Sequence, residues 1–252
     1  MLESEHRVMA TGTMDRSHGR VRTGGAEDPR SMLVMGAWAG LMAPVLFYVL
    51  HFIQLTLAPG FNQLEHPVSA LALERYGWIQ SLSFIQFGVL YFLFAWALKS
   101  TLEPNLGPWL HMVSAMGCIV LGLTPWHIEE GNPVQPTAHT IGIFMAYLGA
   151  GAGFIAMWQP MRNDPRWAPW SWVSLVTGVL MLALYGVFGA VAQATTARFH
   201  HLEGLFQGVM ANLWFICTIL LALRLLGIAR DHAQPARSSV REPVLHPGEP
   251  AA

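Results

Sequence analysis

Most of the chain between residues 32 and 226 consists of long apolar runs separated by short polar stretches. A helix that crosses about 30 Å of hydrocarbon needs roughly 20 mostly apolar residues, and six runs come close to that length or exceed it. The runs lack the alternation that a membrane-spanning strand requires, so the pattern predicts helices. The six predicted transmembrane helices are Met32–Leu57, Trp78–Leu98, Trp109–Trp126, Thr140–Trp158, Trp170–Ala192 and Leu205–Leu226.

The composition strengthens the membrane assignment. Of the 252 residues, 53% are hydrophobic and only 12% are charged, whereas a soluble domain averages about 25% charged residues. The net charge of −1 gives no basic field that would attract nucleic acid. Both cysteines, Cys118 and Cys217, lie inside apolar runs, which excludes a disulfide framework and a CxxC metal site.

The two ends of the chain differ from the region between them. Residues 1–30 and 229–252 are too poor in apolar residues to form a core, and we expect both to be disordered tails. The first 30 residues also lack the apolar segment of a cleavable signal peptide. The predicted organisation is therefore a six-helix transmembrane domain over residues 31–228 between two polar tails.

Positive charge falls mainly on one side of this arrangement. Of the 14 Lys and Arg residues, only Arg75 and Arg198 fall on the side opposite the termini. Cytoplasmic loops are enriched in Lys and Arg, so we expect an all-α bundle of the plasma (inner) membrane with both termini in the cytoplasm. The other twelve are Arg7, Arg16, Arg20, Arg22, Arg30, Lys99, Arg162, Arg166, Arg224, Arg230, Arg237 and Arg241.

The predicted membrane interior carries little polar chemistry. No Asp or Glu falls inside the six predicted helices, which argues against a proton- or sodium-coupled transporter. Gln80, Ser83 and Gln86 are spaced i, i+3, i+6 on the second helix and should face the bundle interior. Two interpretations stay open for this face, namely hydrogen bonds between helices and the polar lining of a ligand pocket.

Histidines and carboxylates collect in the loops predicted to lie outside. Neutral imidazole and carboxylate groups are good ligands for zinc and similar ions, and a catalytic zinc site needs three of them around an open position. No HExxH motif is present. The alternatives are a divalent metal site, solvated loops without a cofactor, and contacts that respond to pH. The candidate metal ligands are His66, His127, Glu129, His139, His200, His201 and Glu203.

A longer motif precedes and enters the second helix, where residues 66–80 read HPVSALALERYGWIQ. His139 near the start of the fourth helix and the sequence GLFQ at residues 204–207 are further elements of the same kind. Together they resemble DUF998, a bacterial family of membrane proteins of unknown function. The resemblance implies about six helices over residues 33–228 and no established activity. Two charges typical of the family are missing, since residues 124–127 (TPWH) lack an aspartate and Gly208 stands where an arginine is usual.

The motif also has a direct physical interpretation. A residue before proline favours an extended backbone, so His66-Pro67 should lead into the segment in extended form. We then expect Ser69 to cap a short helix on the membrane surface. Tyr76 and Trp78 would anchor its end at the interface. The segment is either a structural connection or a lid over a pocket.

These patterns favour a non-enzymatic or accessory membrane protein that holds a lipid or another amphipathic ligand in an outward-facing pocket under residues 66–78. A metal-dependent membrane hydrolase that uses the outer His and Glu residues is the alternative, and a pH or stress sensor is a further one. Membrane lipids are the expected partners, and a homo-oligomer or another membrane partner is open. The candidate ligand-binding residues are His66, Ser69, Tyr76, Trp78, Gln80, Ser83, Gln86 and His139.

Overall fold

The computed structural model describes residues 29–102, 104–125, 134–192 and 202–231, and the regular structure within these ranges is helical throughout. Two short 3-10 helices, η1 (Val68–Leu73) and η2 (Ala168–Trp170), precede α2 and α5. The predicted all-α class is confirmed. The α-helices are α1 (Pro29–Leu57), α2 (Trp78–Lys99), α3 (Gly107–Leu123), α4 (Val134–Asn163), α5 (Ser171–Ala192) and α6 (Glu203–Asp231).

Within the described ranges, five of these helices are long and apolar enough to cross a membrane, and α3 is a shorter apolar helix of 17 residues. The chain is therefore a multi-pass membrane protein. α6 continues beyond the predicted end at Leu226, because Ile228 and Ala229 are buried against the bundle. At the other end of the domain, α1 begins at Pro29, inside the predicted N-terminal tail, and the rest of both predicted tails lies outside the described residues.

The helices are arranged as a closed ring. Each one packs against its neighbours in sequence, and α1 packs against α6 to complete the circuit. Buried aromatic side chains of α1, α2 and α6 fill the space between them. The Phe87 and Phe215 ring centroids are 4.7 Å apart, and Trp214 meets Phe87 edge-on at 5.1 Å. Such tilted and edge-on contacts are the favoured geometries for aromatic pairs.

The described connections between helices lie at two opposite ends of the bundle. At one, which we call the η1 end, the Leu205 amide donates to the Leu64 carbonyl at 3.0 Å. At the other, which we call the Arg166 end, the Arg166 guanidinium donates to the Thr101 carbonyl at 3.1 Å, and Arg224 donates to the Arg166 carbonyl at 2.6 Å. Of the connections that the structure describes, α1–α2 thus lies at one end and α2–α3 and α4–α5 lie at the other, as expected for helices that cross a membrane in turn.

Candidate functional site

Residues 58–77, which we call the cover loop, connect α1 to α2 across the η1 end. Pro67 has an extended backbone (φ −60°, ψ 149°), and the extended form predicted for His66 before it stays a prediction. The prediction that Ser69 caps the following helix is wrong, because η1 begins at Val68 and Ser69 is buried inside it. The main-chain amide of Val68, in the first turn of η1, finds its hydrogen-bond partner in α6. Gln207 Oε1 accepts the Val68 N–H at 2.5 Å.

The cover loop is fixed to α1 by a buried hydrogen bond and packs closely against α6. On the α1 side, the fully buried Gln54 donates its amide N–H to the Leu71 carbonyl at 2.5 Å. On the α6 side, Gly204 gives the loop room to approach, because a Cβ there would lie 2.1 Å from the Gln63 carbonyl oxygen. Thus α6 residues 204–207 pack directly against the loop that carries the 66–80 motif, and the two sequence elements form one structural unit.

Beneath η1 lies a partly open cavity of about 330 Å³, which we call the first cavity. It is bounded by η1, α4, α5 and α6. Ser69, His139, Glu203 and Gln207 supply polar groups from three of these elements. The rest of the described lining is apolar and consists of Pro67, Ala70, Leu73, Ile143 and Phe188.

The orientation of the His139 ring is fixed by the backbone. Its Nδ1 lies 2.6 Å from the carbonyl oxygen of Thr124 at the end of α3. A carbonyl oxygen only accepts hydrogen bonds, so Nδ1 carries a proton and, in the neutral ring, Nε2 holds the lone pair. Histidines held this way serve well as hydrogen-bond acceptors or as metal ligands.

The predicted ligand-binding residues are distributed over several places. Ser69 and His139 line the first cavity together. His66 is exposed and lines a separate cavity with His51. Trp78 is 65% exposed at the start of α2, and Tyr76 lies beside the Arg75 guanidinium at 5.3 Å; neither belongs to the described lining of the first cavity.

Gln80, Ser83 and Gln86 face the bundle interior, as their spacing predicts. They make hydrogen bonds within α2 and to α1, and the described lining of the first cavity does not include them. Gln80 Oε1 lies 3.1 Å from His51 Nδ1, and the Gln86 amide donates to the Ala43 carbonyl at 3.2 Å. Of the two interpretations given above, the structure favours bonding between helices.

The predicted metal ligands are only partly described. His139 and Glu203 line the first cavity, whereas His66 lines the other one. Within the described ranges, no group of three His, Cys, Asp or Glu side chains is placed to hold an ion. A bound metal therefore stays a prediction. The candidates His127, Glu129, His200 and His201 lie outside the described residues.

Two side chains that position the cover loop were not among the predicted site residues. Gln54 gave no signal, because its bond to the Leu71 carbonyl joins positions 17 residues apart along the chain. Gln207 did carry a signal, since it ends the GLFQ element at residues 204–207. Its hydrogen bond with the Val68 N–H gives the GLFQ element a structural role in holding the cover loop.

Comparison with known families supports the resemblance seen in the motifs. Residues 41–233 match the profile of DUF998, described as a protein of unknown function. The matched region includes the whole cover loop and every described residue that lines the first cavity. Comparison with curated proteins and with solved structures gives no match.

Proposed function

Because this chain belongs to the DUF998 family, whose function is unknown, we propose a function from the first cavity: the protein binds a lipid or another amphipathic ligand there. The role is non-enzymatic or accessory, and the site is the outward-facing end of a bundle in the plasma (inner) membrane. The proposal depends on one observation, which is that the cavity lining has a polar part and an apolar part. Polar groups from η1, α4 and α6 converge in it, and apolar side chains form the rest.

The size and chemistry of the cavity suit such a ligand. Small-molecule sites have volumes of about 300–1,000 Å³, with mostly apolar walls and a few polar groups that set orientation. The first cavity, at about 330 Å³, is at the lower end of that range. Ser69, His139, Glu203 and Gln207 would hold the polar head group, and Ile143 and Phe188 would contact its apolar part.

The packing of α5 supports access from the lipid. Phe188 lines the cavity, and none of the side chains described over residues 182–190 is buried. In α4, on the other side of the cavity, Ala146, Ala150 and Phe154 are fully buried or nearly so. A loosely packed wall allows an alkyl chain to lie against it without displacing core side chains.

Two matched tryptophan substitutions test this proposal. Ile143→Trp places a large ring in the first cavity, whereas Ile141→Trp adds the same ring on α4 at a position that is 51% exposed. We expect native mass spectrometry of purified wild-type protein to show bound lipid. Ile143→Trp should lower lipid affinity about tenfold, or about 1.4 kcal/mol, and Ile141→Trp should leave it unchanged. Lipid-free wild-type protein, or equal occupancy in both variants, would contradict the proposal.

A metal-dependent membrane hydrolase is the second candidate. It is supported by two predicted ligands, His139 and Glu203, which line the same cavity, and by the backbone carbonyl that orients His139. The test is elemental analysis of protein purified after supplementation with zinc, manganese or iron. A stoichiometric metal that is lost in His139→Ala favours the hydrolase, and a metal content far below one equivalent excludes it. No described contact favours the pH or stress sensor over these two.

A further inference from the structure

A second cavity, of about 80 Å³, lies between α1, α6 and the cover loop. Val68 lines it, whereas the neighbouring Pro67 and Ser69 line the first cavity, so the chain at Val68 separates the two. The second cavity has a different lining, with six aromatic or imidazole rings. Its described residues are Phe47, Tyr48, His51, Phe61, Gln63, His66, Val68, Gly204, Gly208, Ala211, Asn212 and Phe215.

The hydrogen bonds of α2 determine the tautomer of His51. The Ser83 hydroxyl lies 2.7 Å from the Gln80 carbonyl oxygen, which only accepts, so the hydroxyl proton points there. Ser83 Oγ must therefore accept from the Gln80 side chain at 2.8 Å, which identifies that atom as Nε2. Gln80 Oε1 then faces His51 Nδ1 at 3.1 Å and accepts its proton. In the neutral ring, His51 Nε2 holds the lone pair.

Among the other polar groups of the second cavity, Tyr48 and Asn212 also offer acceptors. The Tyr48 hydroxyl donates to Asn212 Oδ1 at 2.7 Å, and the Asn212 amide donates to the Gly208 carbonyl at 2.8 Å. The Tyr48 proton and one of the two Asn212 amide N–H groups are thus engaged within the protein, whereas the oxygens of Tyr48 and Asn212 keep further lone pairs. His51 lines the cavity as well, so its Nε2 lone pair is available to a donor bound there. These three acceptors suit a ligand that donates hydrogen bonds.

Aromatic faces add a preference for positive charge. The rings of Phe47, Tyr48, Phe61 and Phe215 line the cavity, and aromatic faces attract cations. The described lining contains no Lys or Arg that would repel a cation, and no Asp or Glu that would pair with it, so the rings and the acceptors named above would hold it. We propose that the second cavity binds a primary ammonium group, which donates to His51 Nε2 and lies against the aromatic rings. This proposal does not rest on the lipid ligand of the first cavity.

A primary ammonium group can come from a free amine or from a lipid head group. The test measures thermal unfolding of the full chain in detergent micelles, with added ethylammonium or tetramethylammonium, or with micelles that contain phosphatidylethanolamine or phosphatidylcholine. A ligand that binds only the folded state raises the unfolding temperature. We expect a primary ammonium compound to raise the unfolding temperature. Its quaternary counterpart, tetramethylammonium for ethylammonium or phosphatidylcholine for phosphatidylethanolamine, should raise it less. Stabilisation by phosphatidylethanolamine alone identifies a lipid head group, and stabilisation by ethylammonium identifies a free amine.

Variants connect this effect to His51. His51→Leu and Gln80→Met should each weaken primary-ammonium binding at least about tenfold, the second because it removes the acceptor that fixes the tautomer. Gln86→Met is the matched control, since both hydrogen bonds of Gln86 go to main-chain carbonyls. Ile143→Trp, which blocks only the first cavity, should bind the ammonium like the wild type.

Three results would overturn the proposal. The first is that neither ethylammonium nor phosphatidylethanolamine raises the unfolding temperature. The second is that primary and quaternary compounds raise it equally, and the third is that Gln80→Met binds the primary ammonium as the wild type does. If His51→Leu does not fold, the comparison of Gln80→Met with Gln86→Met decides the matter. Because Ile143→Trp acts on the other cavity, failure of lipid binding there is distinguishable from failure here.

Discussion

Asp164 lies in the connection between α4 and α5, where the Arg166 guanidinium approaches its carboxylate to 2.7 Å. The hydrogen bond from Arg166 holds the pKa of Asp164 below its usual value. The stabilisation from this pair is therefore complete above the unfolded pKa, about 3.9, and is lost as the pH falls through the lower folded value. Because the Arg166 side chain is 43% exposed, solvent screening limits the contribution to at most about 1 kcal/mol.

We predict that Asp164→Asn lowers the unfolding temperature slightly at pH 7 and that the difference from wild type disappears in acid below the folded pKa. The substitution retains the oxygen that accepts the Arg166 main-chain N–H at 2.8 Å, so it removes mainly the charge. Thermal unfolding in detergent at both pH values measures the effect. A difference that persisted or grew in acid would show that the charge pair is not its source.

His111 of α3 is fully buried, and its Nδ1 lies 2.6 Å from the hydroxyl of Tyr91 on α2. Its Nε2 has no hydrogen-bond partner among the described residues, and the ring packs against Phe154 at 4.5 Å. A buried polar group that loses its partner costs about 1–3 kcal/mol. Tyr91→Phe should therefore destabilise the bundle by about that amount.

The double variant distinguishes a hydrogen bond from simple packing. Tyr91→Phe combined with His111→Leu removes both polar partners, so the loss should be smaller than the sum of the two single losses. Unfolding in a denaturing detergent, for the wild type and three variants, completes the cycle. Strict additivity would mean that the Tyr91–His111 bond makes no net contribution to stability.

At the scale of elements, the cover loop is held by its fit against α6. A Cβ on Gly204 would lie 2.1 Å from the Gln63 carbonyl and 2.4 Å from the His66 carbonyl, and backbone atoms of a pinned loop yield poorly. At Gly208, one turn later on the same helix, an added Cβ meets no atom within 4 Å. The two glycines thus form a matched pair.

We predict that Gly204→Ala lowers the unfolding temperature and exposes the cover loop to protease. Gly208→Ala should be neutral or stabilising, since alanine favours a helix over glycine by up to about 1 kcal/mol. Thermal unfolding and limited proteolysis of the two variants give the comparison. Equal behaviour of the two variants would show that the loop adapts to the missing space.

The helices were predictable from the sequence because a continuous apolar run has one stable form in lipid. The cover loop was predictable only in part. The ring of Pro67 fixes its φ near −60° by local sterics, but the partner of the Val68 amide is Gln207, 139 residues away in the chain. Likewise, the spacing of Gln80 and Ser83 predicted a buried face, yet it did not reveal His51 as the partner. Contacts between distant residues decide the site, and one sequence does not contain them.

At the scale of the whole molecule, basic side chains distinguish the two ends. Among the described residues, Arg30, Lys99, Arg162, Arg166, Arg224 and Arg230 lie at or near the Arg166 end, and Arg75 lies at the η1 end. The Lys99 ammonium lies over the Trp96 and Trp109 rings at 5.8 and 5.3 Å, and Arg162 lies over Trp158 at 5.8 Å. Tryptophan is typical of both membrane interfaces, whereas an excess of basic residues is typical of the cytoplasmic one.

The predicted orientation is tested by single cysteines in a variant that lacks Cys118 and Cys217, both of which are buried. Gly60 in the cover loop, Ser100 after α2 and Asp231 at the end of α6 are exposed positions. In intact cells, a membrane-impermeant maleimide should label Gly60→Cys only, and permeabilisation should expose Ser100→Cys and Asp231→Cys, because an even number of crossings separates these two. The cysteine-free parent is the control for background labelling. Labelling of Ser100→Cys and Asp231→Cys from opposite sides would refute six crossings, and labelling of both from outside would invert the bundle and direct the two cavities toward the cytoplasm.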